Sequence, residues 1–81
     1  MSEDQLIQKA VSGDADAFGQ LVRTYQDRLF TTIGHLVRDA ALAEDVVQDT
    51  FVQAYVKLDS FKGKSSFFTW LYRIAFNIAI N

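Results

Sequence analysis

The sequence predicts an all-α domain, a compact antiparallel bundle of three main helices plus a short N-terminal helix. Its 81 residues include no proline and only four glycines, so little interrupts a helix or marks a hairpin. Apolar residues recur at three- and four-residue spacing through long stretches, which is the helical period. At 49% hydrophobic content the chain can build one modest core and has no material for a second domain.

The elements follow in order. Ser2 and Gln5 make a capping box for a short first helix with an apolar stripe of Leu6, Ile7, Ala10 and Val11. Gly13 ends that helix and Asp14 caps the next. The second helix, about 15–38, carries Phe18, Leu21, Val22, Tyr25, Leu29, Ile33, Leu36 and Val37 on its core side. Gly34 weakens its last turns by roughly 1 kcal/mol relative to alanine. Asp39 caps a third helix at about 40–58, with Ala43, Val46, Val47, Thr50, Phe51, Ala54 and Leu58 facing inward. After a loop at 59–65, Ser65 or Ser66 caps a fourth helix that runs to the end of the chain. No glycine, proline or polar tail stops that helix, which predicts a domain taken from a longer protein.

Composition excludes several functions. With no cysteine there is neither a disulfide nor a thiolate metal site, and a single histidine, His35, gives a metal little to bind. No apolar run reaches the ~18 residues of a membrane span. The acidic start, Met1-Ser2-Glu3-Asp4, lacks the basic region of a signal peptide, so a cytoplasmic protein is expected. No enzyme template fits. There is no glycine-rich phosphate loop between strand and helix, no Ser/His/Asp set, and Asp45 and Asp49 have no histidine near in sequence. No cofactor and no metal are predicted.

Charge is distributed unevenly. Residues 1–56 hold nine acids and four bases, whereas residues 57–81 hold one acid and four bases. An acidic body with a basic C-terminal third suits a protein with two different partners.

Two constellations carry functional content. On the third helix, Glu44, Asp45, Gln48, Asp49, Val52, Gln53 and Val56 share the half-turn opposite the core stripe. A plain solvated face accounts for the acids and amides. Two valines ringed by them look instead like the centre and rim of a protein interface. The second constellation is the loop Lys62, Gly63, Lys64, Ser65, Ser66 leading into Phe67, Trp70, Tyr72, Arg73 and Asn77. Much of the fourth helix can be core, yet a helix apolar on nearly every side exceeds what a small domain can surround. Single-stranded nucleic acid suits these pieces. Lys62, Lys64 and Arg73 would hold phosphates, Phe67, Trp70 or Tyr72 would stack on bases, and Asn77 would bond a base edge.

Three segments resemble conserved region 2 of bacterial sigma factors, most closely the extracytoplasmic-function (ECF) group. They are 43–49 with Thr50 and Phe51, then 61–67, then 69–77, and the opening at 16–25 is also similar. The resemblance covers essentially the whole chain, and the motifs stand in the family's order and spacing. It implies that Asp45, Gln48 and Asp49 dock on the clamp helices of the β′ subunit of core RNA polymerase; Val52, the apolar centre of the same face, is assigned to that contact from its place on the helix. It implies that the loop at 62–66 and the start of the fourth helix read the non-template strand of the promoter −10 element. Phe67 and Trp70 match positions associated with opening the promoter, Asn77 matches a family asparagine, and a base is expected to flip into the loop's pocket. In this group an anti-sigma factor often covers the same surfaces. Leu71 departs from primary sigma factors, which have a second tryptophan there, and this implies weaker melting. The −35-binding domain of the family is absent from this chain. The competing expectation is a helical protein-interaction module without DNA binding.

Overall fold

The computed structural model describes residues 1–81 and contains four α-helices and no strand. They are α1 (Glu3–Val11), α2 (Ala15–Val37), α3 (Ala40–Lys57) and α4 (Phe67–Ile80), with a 3₁₀ turn at Leu58–Ser60. The all-α bundle expected from the periodicity is the fold observed.

The helix starts form where capping side chains stand. Ser2 Oγ accepts from Gln5 N–H at 3.2 Å while Gln5 Oε1 accepts from Ser2 N–H at 3.0 Å, a reciprocal box. Asp14 accepts from the N–H groups of Asp16 and Ala17, and Asp39 from that of Leu42. α2 ends one residue earlier than predicted because Arg38 turns left-handed, with φ 56°, and donates its N–H to Gly34 O at 2.9 Å. α3 likewise gives way to the 3₁₀ turn at Leu58, which stays buried.

Packing centres on α3, which lies between α2 and α4, while α1 lies against α2 and the 3₁₀ turn. All seven α3-side residues predicted to face inward, Ala43 to Leu58, are buried. Thr50 is the one polar residue among them, and its hydroxyl donates to Val46 O at 2.7 Å, which removes the cost of burying it. Leu21, Leu29, Ile33 and Leu71 complete the centre.

Two expected core residues face solvent. Val11 and Leu36 are 47% and 42% exposed. Each stands in the last turn of its helix, where neighbours cover one narrow face. There Ala10 and Val37 take the inward positions.

Candidate nucleic-acid interface and acidic helix face

The loop is fastened at both ends. At its start Phe61 N–H donates to Leu58 O at 3.1 Å. At its end Ser66 Oγ accepts from Thr69 N–H at 3.1 Å and donates to Thr69 Oγ1 at 2.9 Å. Ser66 is therefore the cap of α4, which settles the choice between the two serines and engages this hydroxyl within the helix start. Between the fastenings, Gly63 adopts φ 74°, a left-handed conformation strained for any residue with a Cβ. Lys62 Nζ donates to Asp59 O at 2.9 Å, Ser65 Oγ donates to Ser66 O, and Lys64 extends into solvent.

Behind the loop stands an aromatic cluster. The Phe61 ring lies edge-on to Phe67 at 5.5 Å and tilted to Trp70 at 5.4 Å, and Phe67 meets Trp70 at 5.6 Å and Tyr25 at 5.5 Å. This geometry corrects one expectation. Phe67 is 2% exposed, so its ring packs in the core and has no face left for a base. Trp70 and Tyr72 are half-buried and keep part of their rings accessible.

The residues grouped by sequence divide between two places. Arg73 and Asn77 are exposed and line a shallow cleft of about 400 Å³ with Tyr72 and Phe76. Lys62 and Gly63 instead line a cleft of about 520 Å³ that opens toward α1. One aromatic–cation pair escaped the sequence reading: the Arg28 guanidinium lies 3.8 Å from the centroid of the Phe68 ring. Nothing in the pattern pairs α2 with the start of α4 at that point, so only the fold reveals it.

On α3, Asp45, Gln48, Asp49 and Val52 are all exposed, with Gln48 Nε2 donating to Glu44 Oε1 at 3.4 Å. Val52 and Val56 are 65% and 73% exposed. With Phe18, Phe51 and Tyr55 they line a wholly apolar cleft of about 300 Å³. Phe18 and Tyr55 pack edge-to-face at 5.0 Å, which joins α2 to this patch. Phe18, partly buried against the core as its spacing predicts, also borders this patch, and Tyr55, which periodicity left unassigned, packs on it. An apolar patch rimmed by acids and amides is the composition of a protein interface.

No group of three or more His, Asp or Glu side chains comes close enough to hold a metal ion. No helix is long and apolar enough to cross a membrane.

Comparison with known proteins adds to this geometry. The family described as sigma-70 region 2 matches residues 21–81. The chain is 46% identical over 79 residues to the RNA polymerase sigma-H factor of Pseudomonas aeruginosa, covering 98% of this chain and 41% of that protein. It is 42% identical over 81 residues to the ECF RNA polymerase sigma-E factor of Escherichia coli K12, covering 100% of this chain and 42% of that protein. The chain thus spans about two fifths of the length of these curated relatives. Among solved structures, an engineered region 2 of sigmaE, determined by NMR in complex with GTAAAA, superposes with a TM-score of 0.89. That match is 40% identical and covers 100% of this chain and 84% of the other. On the matched residues, the shared helices and the relatives' names, the chain belongs to the sigma-70 region 2 family, within the extracytoplasmic-function group.

Proposed function

We propose that this domain binds core RNA polymerase and recognises and helps melt the promoter −10 element through its single-stranded non-template DNA. The observation that carries the reading is the loop at 62–65, fastened at both ends and bearing exposed Lys62 and Lys64, with Phe61 at its start packed on half-buried Trp70; Arg73 stands apart, on the exposed stripe of α4. Lysines and the arginine supply phosphate contacts, and the accessible edge of Trp70, with Tyr72, supplies stacking surface. Phe67 acts from beneath, holding Phe61 and Trp70 in position. Gly63, Ser65 and the polar stripe of Arg73 and Asn77 complete the surface offered to DNA. The relative solved with GTAAAA supports this placement.

The polymerase contact is assigned to the opposite side of α3. Asp45, Gln48 and Asp49 form the polar rim and Val52 the apolar centre of a surface for the β′ clamp helices. An anti-sigma factor would compete for these same groups. The domain acts by binding, with no catalytic residue of its own.

Fluorescence anisotropy with a labelled GTAAAA hexamer tests the DNA assignment. Lys62→Ala and Trp70→Ala should each weaken binding at low salt, and parent-like affinity in both would refute it. A pull-down with a β′ clamp-helix fragment, with Asp45→Arg and Gln48→Ala as controls, tests the other face. Failure to capture the fragment together with no DNA binding would favour a plain protein-interaction module.

A further inference from the structure

α1 takes no part in the function proposed above, yet it forms one wall of the 520 Å³ cleft beside the loop. Asp4, Gln8 and Ser12 line the α1 side, and Phe61, Lys62 and Gly63 line the loop side. The volume lies within the ~300–1,000 Å³ typical of small-ligand sites. Phe61 supplies a flat apolar wall, held in place by its contacts to Phe67 and Trp70. Gly63 has no side chain to fill the space, and a Cβ built there would touch nothing within 4 Å. Lys62, fixed by the Asp59 carbonyl at 2.9 Å, brings a cation to the same cleft.

A flat wall, a bare backbone and a nearby cation suit a planar heterocycle carried on a phosphate chain. The α1 side adds polar groups that can discriminate among such rings. The Ser12 hydroxyl is already engaged with Gln8 O at 3.0 Å. Asp4 and Asp59, the two carboxylates of the lining, offer only acceptors and repel phosphate. The Gln8 amide is exposed and carries both a donor and an acceptor, the pair that matches the N6 and N7 edge of adenine.

We infer that Gln8 on α1 reads the edge of the base already expected to enter the loop's pocket, which is this cleft. The inference rests on the DNA-binding reading above and adds a specificity-determining residue from a helix outside the motifs. α1 thereby becomes part of the promoter-reading surface, brought to the loop by its packing on the 3₁₀ turn.

The test uses GTAAAA and six variants of it, each with one abasic position, against the parent protein, Gln8→Ala and Gln8→Glu. Removing the base that sits in the cleft should weaken the parent by about 5- to 100-fold. At that one position, Gln8→Ala should cause no further loss, since both partners of a single contact have been removed. Restoring bases there, Gln8→Glu should shift preference from adenine toward cytosine, whose N4 amino group suits an acceptor. Unchanged thermal midpoints would exclude misfolding, because Gln8 is exposed. If the parent discriminates among bases but both Gln8 variants keep its profile at all six positions, the inference fails while the DNA-binding reading stands. If the parent binds none of the oligonucleotides, both fall. Competition by free dAMP as effective as by the hexamer would make the cleft a mononucleotide site and overturn the assignment to DNA.

Discussion

The Tyr25 hydroxyl donates a hydrogen bond to the Glu3 carboxylate, joining α2 to the first turn of α1 across 22 residues of sequence. The same Tyr25 ring meets Phe67 at 5.5 Å and Phe68 at 6.1 Å. One side chain therefore links the N-terminal helix to the start of α4, the helix that follows the loop proposed to read DNA.

That link has a pH signature. Burial, with added effect from the Glu3 carboxylate that accepts its proton and would repel the phenolate, pushes the Tyr25 hydroxyl from 10.0 up to about 12. The unfolded chain ionises first as pH rises, so the protonated folded state loses its advantage between these two values. Stability from this group is full below pH 10 and declines toward pH 12. Urea unfolding across that window should show a smaller alkaline loss for Tyr25→Phe than for the parent. The difference between the two isolates the contribution of Tyr25.

Phe67 and Trp70 should separate stability from binding. Phe67→Ala empties a core position and should cost about 3–5 kcal/mol in denaturant melts. Trp70→Ala removes a half-buried ring, so its loss of stability should be smaller. Its loss of oligonucleotide affinity should be about 1–3 kcal/mol, the value of one stacked base.

Gly34 offers a gain. It sits inside α2 with a helical backbone, and a methyl group added there would meet nothing within 4 Å. Gly34→Ala should raise stability by about 0.4–1 kcal/mol, chiefly by restricting the unfolded chain. Thermal melting should show the increase with DNA affinity unchanged.

Val56 tests the extent of the polymerase face beyond the family motif. It is 73% exposed, so Val56→Asp should alter stability by no more than about 0.5 kcal/mol. If the apolar cleft is the centre of the docking surface, the same change should weaken clamp-helix binding by more than about 1 kcal/mol. Oligonucleotide affinity should stay the same.

Much of this molecule is written locally. Ser2, Asp14, Asp39 and Ser66 cap the helices expected of them, and every inward residue of α3 is inward, because those features depend on neighbours three or four positions away. What periodicity does not carry is how far adjacent helices reach. Val11 and Leu36 keep the core spacing yet lie in terminal turns with little cover. Spacing equally cannot say which aromatic of a crowded run turns inward, so Phe67 and Trp70 looked equivalent until the cluster with Phe61 and Tyr25 distinguished them. The site's long-range partners, Arg28 with Phe68 and Gln8 with the loop, come from tertiary packing alone.

The joint between α2 and α3 consists of only two residues, left-handed Arg38 and the cap Asp39. So short a connection makes the α2–α3 hairpin the cheapest long pairing to close, and chains nucleate where closure entropy is least. On a ribosome this hairpin emerges ahead of α4. The acidic and apolar face proposed for polymerase then takes shape first, and the segment proposed to read DNA is ordered last, when α4 seats against a scaffold already built.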